Sequence, residues 1–312
     1  MEIVRVLRPN GLDDIFDLLS QRNDQWSGWG WIFRGQRDSD WELMPSAYRE
    51  DVELPKHNGR TKRHEILSVL EEIQAEWHAL HSFLDQVDVS GLALPAHDEA
   101  IFQHPTWCRT FEALSDDIVK PDFGPYGWPK ATVLPNLALA QHYGVPTRLL
   151  DWTTVPNVAA YFAAMTAAKW SRDHSEPSSG CFSIWAFDCE LLSYANNVKL
   201  QIARQIRVPR AANPNLHAQS GVFIDYRIPN LTRLNDHFTP MSFDAVLEAS
   251  VPLLEGTGWK LSEENPPLTR IDIPTRMARQ LLPELARLGF SGTQMFPGYA
   301  GAAEGAMERR LW

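Results

Sequence analysis

Apolar and polar residues alternate in several short segments of the chain, and this pattern is typical of strands with one buried face. This alternation predicts strands at "MEIVRVL" and "CFSIWAFD", and further strands are expected at "GWGWIFRG", "VPTRLLDWT", "SGVFIDYRI" and "LTRIDIP". Between them, apolar residues recur at helical spacing, and the segments that predict helices are "NGLDDIFDLLSQR", "PNLALAQHYG", "VPNVAAYFAAMTAAKW" and "TRMARQLLPELARLG". Gly144 and Gly289 stand where two of these helices are expected to end. The mixture predicts a single α+β domain over residues 1–312.

The longest helical pattern covers residues 61–86. Its apolar stripe consists of Ile66, Leu70, Ile73, Trp77, Leu80 and Leu84, and its other face is charged. This stripe has two explanations, which are packing on the core of the domain and binding of a protein partner. The flanking residues 50–62 and 87–130 are polar or rich in Pro, and they predict loops with one short helix near "CRTFEALSDDIV". Residues 50–130 are therefore expected to form a helical and loop insertion.

Composition indicates a folded globular protein, since 44% of the 312 residues are hydrophobic and 22% are charged. The formal net charge of −10 argues against a surface that attracts nucleic acid as a whole, although a local basic patch stays compatible with it. Cys108, Cys181 and Cys189 show no CxxC spacing, so neither a disulfide framework nor a metal site is expected. The start of the chain resembles no signal peptide and no apolar stretch is long enough to span a membrane. These features predict a cytoplasmic protein without a membrane partner.

The densest group of polar residues lies in residues 137–164. Leu149 and Leu150 are expected to be buried, and they draw Arg148 and Asp151 towards the core, where each charge needs a partner. The two residues could pair with each other, Asp151 could cap the next helix, or Arg148 could bind a phosphate or carboxylate. His142 precedes the expected helix end at Gly144, where the helix dipole favours an imidazole.

A second candidate position is Arg34, which follows three apolar residues at the end of a predicted strand. Gly35 would let a ligand approach the backbone closely, so we expect Arg34 to bind a ligand. The alternative is a structural ion pair between Arg34 and Asp151.

These segments resemble the FRG domain, a prokaryotic family named for a Phe-Arg-Gly triplet, which is here Phe33-Arg34-Gly35. The resemblance continues through Trp41, Leu43, Pro45 and Arg49 and is strongest over "LAQHYGVPTRLLDWT". Weaker matches are "HAQSGVFIDY", which contains Gln219, and "LLPELARLGFSGTQMFPGYAG". The resemblance spans residues 30–50 and 135–301. Because FRG domains occur among prokaryotic toxin-like and phage-defence proteins, it implies a role in a defence or toxin–antitoxin system.

The order of these motifs is also similar to that of ADP-ribosyltransferases of the Arg-Ser-Glu type, which implies a mostly antiparallel split sheet flanked by helices. In such a site Arg34 would hold the pyrophosphate or ribose of NAD, and the hydroxyl of Thr153 would support the nicotinamide end. A carboxylate would stabilise the oxocarbenium ion that forms as nicotinamide leaves. The block expected to supply a Glu has Gln219 instead, with Asp225 as the nearest acid. Asp151 is the alternative carboxylate.

The resemblance thus implies an NAD-binding, ADP-ribosyltransferase-like effector or toxin, acting as a transferase or an NAD glycohydrolase. Arg34, Asp151, Thr153 and Gln219 are the expected catalytic residues. The residues expected to bind NAD or another anionic nucleotide are Arg34, Gly35, Gln141, His142, Tyr143, Arg148 and Trp152. Two alternatives stay open: a non-enzymatic sensor of an anionic ligand, and a metal-independent nuclease-like toxin in which His142 is the general base. A nucleic acid substrate and a protein partner at residues 61–86 are compatible with the sequence.

Overall fold

A computed structural model describes residues 2–28, 30–56, 59–62, 65–95, 128–173, 179–210, 213–231, 234–262 and 266–312. The strands of this part of the chain are β1 (Val4–Leu7), β2 (Trp31–Gln36), β3 (Glu53–Lys56), β4 (Gly59–Lys62), β5 (Leu150–Thr153), β6 (Cys181–Asp188), β7 (Ala203–Ile206), β8 (Gly221–Tyr226) and β9 (Leu268–Pro274). The α-helices are α1 (Leu12–Leu19), α2 (Val69–Val89), α3 (Leu134–His142), α4 (Pro156–Asp173), α5 (Glu190–Asn197), α6 (Pro214–Ala218), α7 (Phe243–Glu255), α8 (Ala278–Arg287), α9 (Gly292–Met295) and α10 (Tyr299–Glu308).

Seven strands form one sheet in the order β1-β9-β6-β2-β5-β8-β7. β1 runs parallel to β9, and every other pair of neighbours in this sheet is antiparallel. β3 and β4 form a separate antiparallel hairpin. The predicted mixed fold, with a mostly antiparallel sheet flanked by helices, is confirmed.

The sheet is joined weakly at its centre, between β2 and β5. β2 pairs with β6 over six residue pairs, and β5 pairs with β8 over four. In contrast, β2 pairs with β5 only where Phe33 faces Thr153. The two strands therefore diverge on the carboxyl side of Phe33, and this divergence makes room for the cavity described below.

Each face of the sheet carries its own hydrophobic core. Ile32 belongs to the core formed with α2, α3, α5 and α7, and the next residue, Phe33, belongs to the core formed with α1, α4 and α8. Successive strand residues point to opposite faces, so β2 anchors both cores at once. Among the described residues, no helix combines the length and the apolar character that crossing a membrane requires.

Helix α2 begins at Val69, later than the sequence predicted, because Ser68 and Glu71 form a capping box at its start. The preceding residues form the hairpin of β3 and β4 in place of the predicted loop. Ile73, Trp77 and Leu80 of the apolar stripe are buried in the core shared with the sheet. Packing on the core therefore accounts for this part of the stripe. The short helix predicted near "CRTFEALSDDIV" lies outside the described residues.

Candidate functional site

A cavity of about 460 Å³ opens where β2 and β5 diverge. Its volume lies in the range of about 300–1,000 Å³ that is usual for small-molecule sites. Both cores contribute to its walls, since Ala138 of α3 and Phe162 of α4 line it. The polar side chains of the lining are Arg34, Gln36, Arg37, Arg49, His142, Asp151, Thr153, Thr166, Asn213 and Gln219.

The lining is electropositive although the protein is acidic. Among the described residues it contains three arginines, Arg34, Arg37 and Arg49, and one carboxylate, Asp151. With a neutral His142, the formal charge of the lining is +3 − 1 = +2, against −10 for the whole chain. A cavity with this charge favours an anionic ligand, because its walls attract negative charge more strongly than the rest of the surface does.

The guanidinium of Arg34 is nearly buried and only partly satisfied. Its side chain is 12% exposed. Nη1 donates to the backbone carbonyl of Asp151 at 2.7 Å and lies 3.8 Å from Asp151 Oδ2. Nε is buried and has no partner among the described residues. A guanidinium carries five N–H donors, so Arg34 keeps donors for a ligand.

Burial lowers the pKa of Arg34, and the carboxylate of Asp151 partly offsets this effect. The ion pair that the sequence suggested is therefore present, but at 3.8 Å it is long and its carboxylate is 61% exposed. A buried cation with so few partners is costly unless a further acceptor completes its coordination.

The carboxylate of Asp151 is held in place from the side of α3. The side-chain amide of Gln141 donates to Asp151 Oδ1, and the hydroxyl of Thr147 donates to the side-chain oxygen of Gln141. Gln141 itself is not part of the cavity lining. Its position makes it a residue that orients Asp151.

Thr153 and Gln219 both line the cavity, and their bonds connect β5 to the segment before β8. The hydroxyl of Thr153 donates to the carbonyl of Gln219 at 2.8 Å and accepts from the backbone N–H of Val155 at 3.1 Å. The side-chain amide of Gln219 donates to the carbonyl of Met295 at 3.2 Å. Both residues therefore lie at the cavity, where the hydroxyl of Thr153 and the side-chain amide of Gln219 already have hydrogen-bond partners.

His142 lies in the cavity wall at the end of α3. Asn215 Nδ2 donates to its Nε2 at 2.6 Å, so that nitrogen is the acceptor of a neutral ring. Burial lowers the pKa of His142, and Asp151 offsets part of the shift. The neighbouring Tyr143 is 67% exposed and stacks on Phe83, outside the lining.

Arg148 is not brought together with Arg34. Its Nε donates to both carboxylate oxygens of Glu76, at 3.0 and 2.8 Å, and Trp128 Nε1 donates to Glu76 Oε2 at 2.9 Å. Burial alone would lower the pKa of Arg148, but Glu76 raises it well above its usual value. The sequence predicted that Arg34 and Arg148 share one cleft. The structure separates them, because the guanidinium of Arg148 pairs with the buried carboxylate of Glu76 and does not line the cavity.

Trp152 contributes to the lining but is 3% exposed. Its ring packs against Phe187 and Phe243 in the core, with centroids 6.1 and 6.4 Å away. Its Nε1 has no partner among the described residues. The flat walls next to the arginines come instead from Phe33, Trp41 and Phe162.

The missing side chain of Gly35 lets helix α4 pack closely against β2. A Cβ at this position would lie 2.1 Å from the carbonyl oxygen of Ala159 and 2.9 Å from the backbone nitrogen of Ala163. Both atoms belong to α4, so the glycine of the triplet brings β2 against that helix. Gly35 also lines the cavity.

Arg37 and Arg49 were not predicted as site residues, although both line the cavity. The signal for Arg37 was available, since it stands three residues after Arg34 in the same polar segment. Arg49 belongs to the residues that carry the FRG resemblance, but nothing local in the sequence shows that it returns to the end of β2. Within the described residues, no group of three or more His, Cys, Asp or Glu side chains is arranged to hold a metal ion.

Comparison with known families matches residues 119–172 to the FRG domain. The matched residues include α3, β5 and nearly all of α4, and they supply His142, Asp151 and Thr153 to the cavity. No curated protein and no solved structure matches the chain. Residues 119–172 are therefore similar to the FRG domain, and this segment supplies part of the cavity lining.

Proposed function

We propose that the protein binds an anionic nucleotide, with NAD as the first candidate, in the cavity between β2 and β5. The observation that carries this proposal is the nearly buried guanidinium of Arg34, whose Nε has no acceptor among the described residues. Its neighbours in the described part of the lining add two further arginines against one carboxylate. An anion that enters the cavity would supply the missing acceptors and the opposite charge.

A pyrophosphate suits this arrangement, because guanidiniums make paired, charge-assisted hydrogen bonds to phosphate oxygens. The apolar walls from Phe33, Trp41 and Phe162 offer flat surfaces for a base. Nucleotides combine these two parts, whereas a simple carboxylate would leave the aromatic side of the cavity without a contact.

The associated reaction is cleavage of the bond between the ribose and nicotinamide. The electron pair of that bond leaves with nicotinamide, and water or an acceptor nucleophile adds to the oxocarbenium ion and loses its proton. Asp151 is the carboxylate of the described lining, and Gln141 orients it, so we assign it the stabilisation of the cation. The FRG family resemblance adds an effector or toxin role in a prokaryotic defence or toxin–antitoxin system to this proposal.

Titration calorimetry with NAD tests the binding step. Wild-type protein should release or absorb heat with NAD, and Arg34→Ala should bind at least about tenfold more weakly, because a charged hydrogen-bonded pair contributes about 1.5–3 kcal/mol. Arg5→Ala is the matched control, since Arg5 is exposed on β1 and lies outside the cavity lining. No heat with NAD at millimolar concentration would contradict the proposal.

Chromatographic detection of free nicotinamide tests the reaction separately. Asp151→Asn should keep NAD binding and lose nicotinamide release, because the amide cannot stabilise a developing cation as a carboxylate does. Binding by the wild type without any release would point to the second candidate, a sensor of an anionic ligand. Gln219 favours that candidate, because it stands where the transferase pattern has a Glu.

A further inference from the structure

Arg37 packs against two indole rings just beyond the end of β2. Its Cζ atom lies 3.8 Å from the ring centroid of Trp170 and 4.4 Å from that of Trp41. Trp170 belongs to the last turns of α4, and Trp41 is four residues further along the chain from Arg37. Both distances are well inside the range of about 6 Å for an attractive contact between a cation and an aromatic face. The two rings restrict where the guanidinium can go.

These stacking contacts leave the hydrogen-bonding capacity of Arg37 unused. A ring face attracts the cation but does not accept the in-plane N–H groups, of which a guanidinium has five. In the part of the chain that the structure describes, Arg37 has no hydrogen bond and no ion pair. Asp38, the next residue in the chain, instead accepts hydrogen bonds from the backbone of Asp40 at 3.1 Å and from Ser179 Oγ at 2.6 Å.

The electrostatic surroundings of Arg37 make an added anion favourable. Partial burial lowers the pKa of Arg37, Asp38 offsets part of this shift, and the positive charge of Arg49 acts in the same direction as burial. Arg37 and Arg49 both line the cavity, together with Trp41, which is 38% exposed. Two like charges that face one cavity repel each other until an anion lies between them.

We infer that Arg37, held by Trp41 and Trp170, is a second phosphate-binding group of the cavity and makes it selective for ligands that carry a phosphate or pyrophosphate. The inference rests on the proposed function, because it names the part of the ligand that the cavity recognises. Arg34 and Arg37 both line the cavity, so one ligand bound there can contact both guanidiniums. An arginine is needed here because a lysine has neither the flat surface that stacks on indole nor the paired donors that match a phosphate.

Inorganic pyrophosphate is the direct probe, used in titration calorimetry with the full chain. Arg37→Lys keeps the charge but loses the planar guanidinium, which stacks on the indole rings and offers paired N–H donors. It should therefore lower pyrophosphate affinity by at least about tenfold. Trp170→Leu keeps Arg37 and should also weaken pyrophosphate binding, because the guanidinium is no longer held. Arg5→Lys should bind as the wild type does. The thermal midpoint of each unliganded variant shows whether it folds.

The inference is overturned if Arg37→Lys binds pyrophosphate as tightly as the wild type. If Arg37→Lys unfolds at a clearly lower temperature than the wild type, Trp170→Leu replaces it as the test. Pyrophosphate affinity equal to that of the wild type in Trp170→Leu then overturns the inference. The two proposals fail in different ways. Pyrophosphate binding that depends on Arg37, without NAD binding, would retain this inference and overturn the proposed function. NAD binding that is unchanged in Arg37→Lys would overturn this inference and retain the proposed function.

Discussion

Phe33 and Thr153 form the register pair that joins β2 to β5 within the described sheet. Beyond this pair the strands diverge, and Arg34 Nη1 reaches across the gap to the carbonyl of Asp151. The 460 Å³ cavity lies on this side of the pair, and a smaller cavity of about 230 Å³, also lined by Phe33, lies next to Thr154. One pair of residues therefore holds the halves of the sheet together while leaving space for a ligand beside it.

The hydroxyl of Thr153 should matter for the stability of this junction. Thr153→Val has nearly the same shape but leaves the Gln219 carbonyl and the Val155 N–H without their partner. We expect a loss of about 1–3 kcal/mol in the free energy of unfolding, the usual cost of unpaired buried polar groups. Thr153→Ser keeps the hydroxyl and is the control. Urea unfolding followed by tryptophan fluorescence measures both, and equal stabilities would show that these bonds contribute nothing.

The close contact between β2 and α4 should not tolerate a methyl group at position 35. In Gly35→Ala the new Cβ would meet the carbonyl oxygen of Ala159, a backbone atom that cannot rotate away. The expected loss is at least about 1–3 kcal/mol, as for other overpacked positions. Gly11→Ala, where no atom of the described residues lies within 4 Å of the added Cβ, should cost well under that amount. Chemical unfolding of the two variants tests the difference, and a stable Gly35→Ala would contradict the contact.

Arg148 should behave as a structural residue. Arg148→Ala leaves the carboxylate of Glu76, which is fully buried, without its cation. We expect destabilisation by about 3–5 kcal/mol, the range for breaking a buried ion pair. Arg287→Ala removes an exposed pair with Glu284 and should cost less than about 1 kcal/mol. If thermal unfolding instead left Arg148→Ala as stable as Arg287→Ala and NAD binding fell, Arg148 would be a ligand-binding residue after all.

His142 should make stability depend on pH in the acid range. Its pKa in the folded protein is lowered from the ordinary value of 6.5, mainly by burial. As the pH falls below about 6.5, the unfolded chain therefore takes up a proton before the folded protein does. The stabilising contribution is present above that pH and is lost as the pH falls towards the folded pKa. In unfolding measurements between about pH 8 and pH 5, wild type should lose more stability than His142→Gln, which does not titrate. If the stability of the two proteins changed equally with pH, His142 would make no contribution to the pH dependence.

The sequence was informative about elements whose pattern is local. β2, β6 and β9 were predicted as strands because each is a short segment rich in apolar residues, and the structure buries neighbouring residues of each strand rather than every second one. The hairpin of β3 and β4 was missed because its polar, turn-rich sequence contains no such segment. α6 and α9, with five and four residues, are too short to display a helical period.

Part of the candidate site was predictable from the segments that carry the family resemblance. These segments contain five residues that line one cavity, namely Arg34, His142, Asp151, Thr153 and Gln219. Their roles in binding and catalysis stay predictions. The side on which Arg148 lies could not be read from the sequence, because it depends on Glu76, a residue 72 positions earlier. In the helical pattern, that carboxylate looks like any other acid on the polar face.

Helix α2 places a limit on how this protein can be shortened or transplanted. The family motifs alone would suggest a compact version made of residues 30–50 and 135–301. Such a version would remove Glu76 and leave the guanidinium of Arg148 facing an empty space in the interior. It would also uncover the side of the core that Trp77 and Leu80 fill. A shortened or chimeric protein must therefore include α2 together with the motifs, and its boundaries should lie outside this helix.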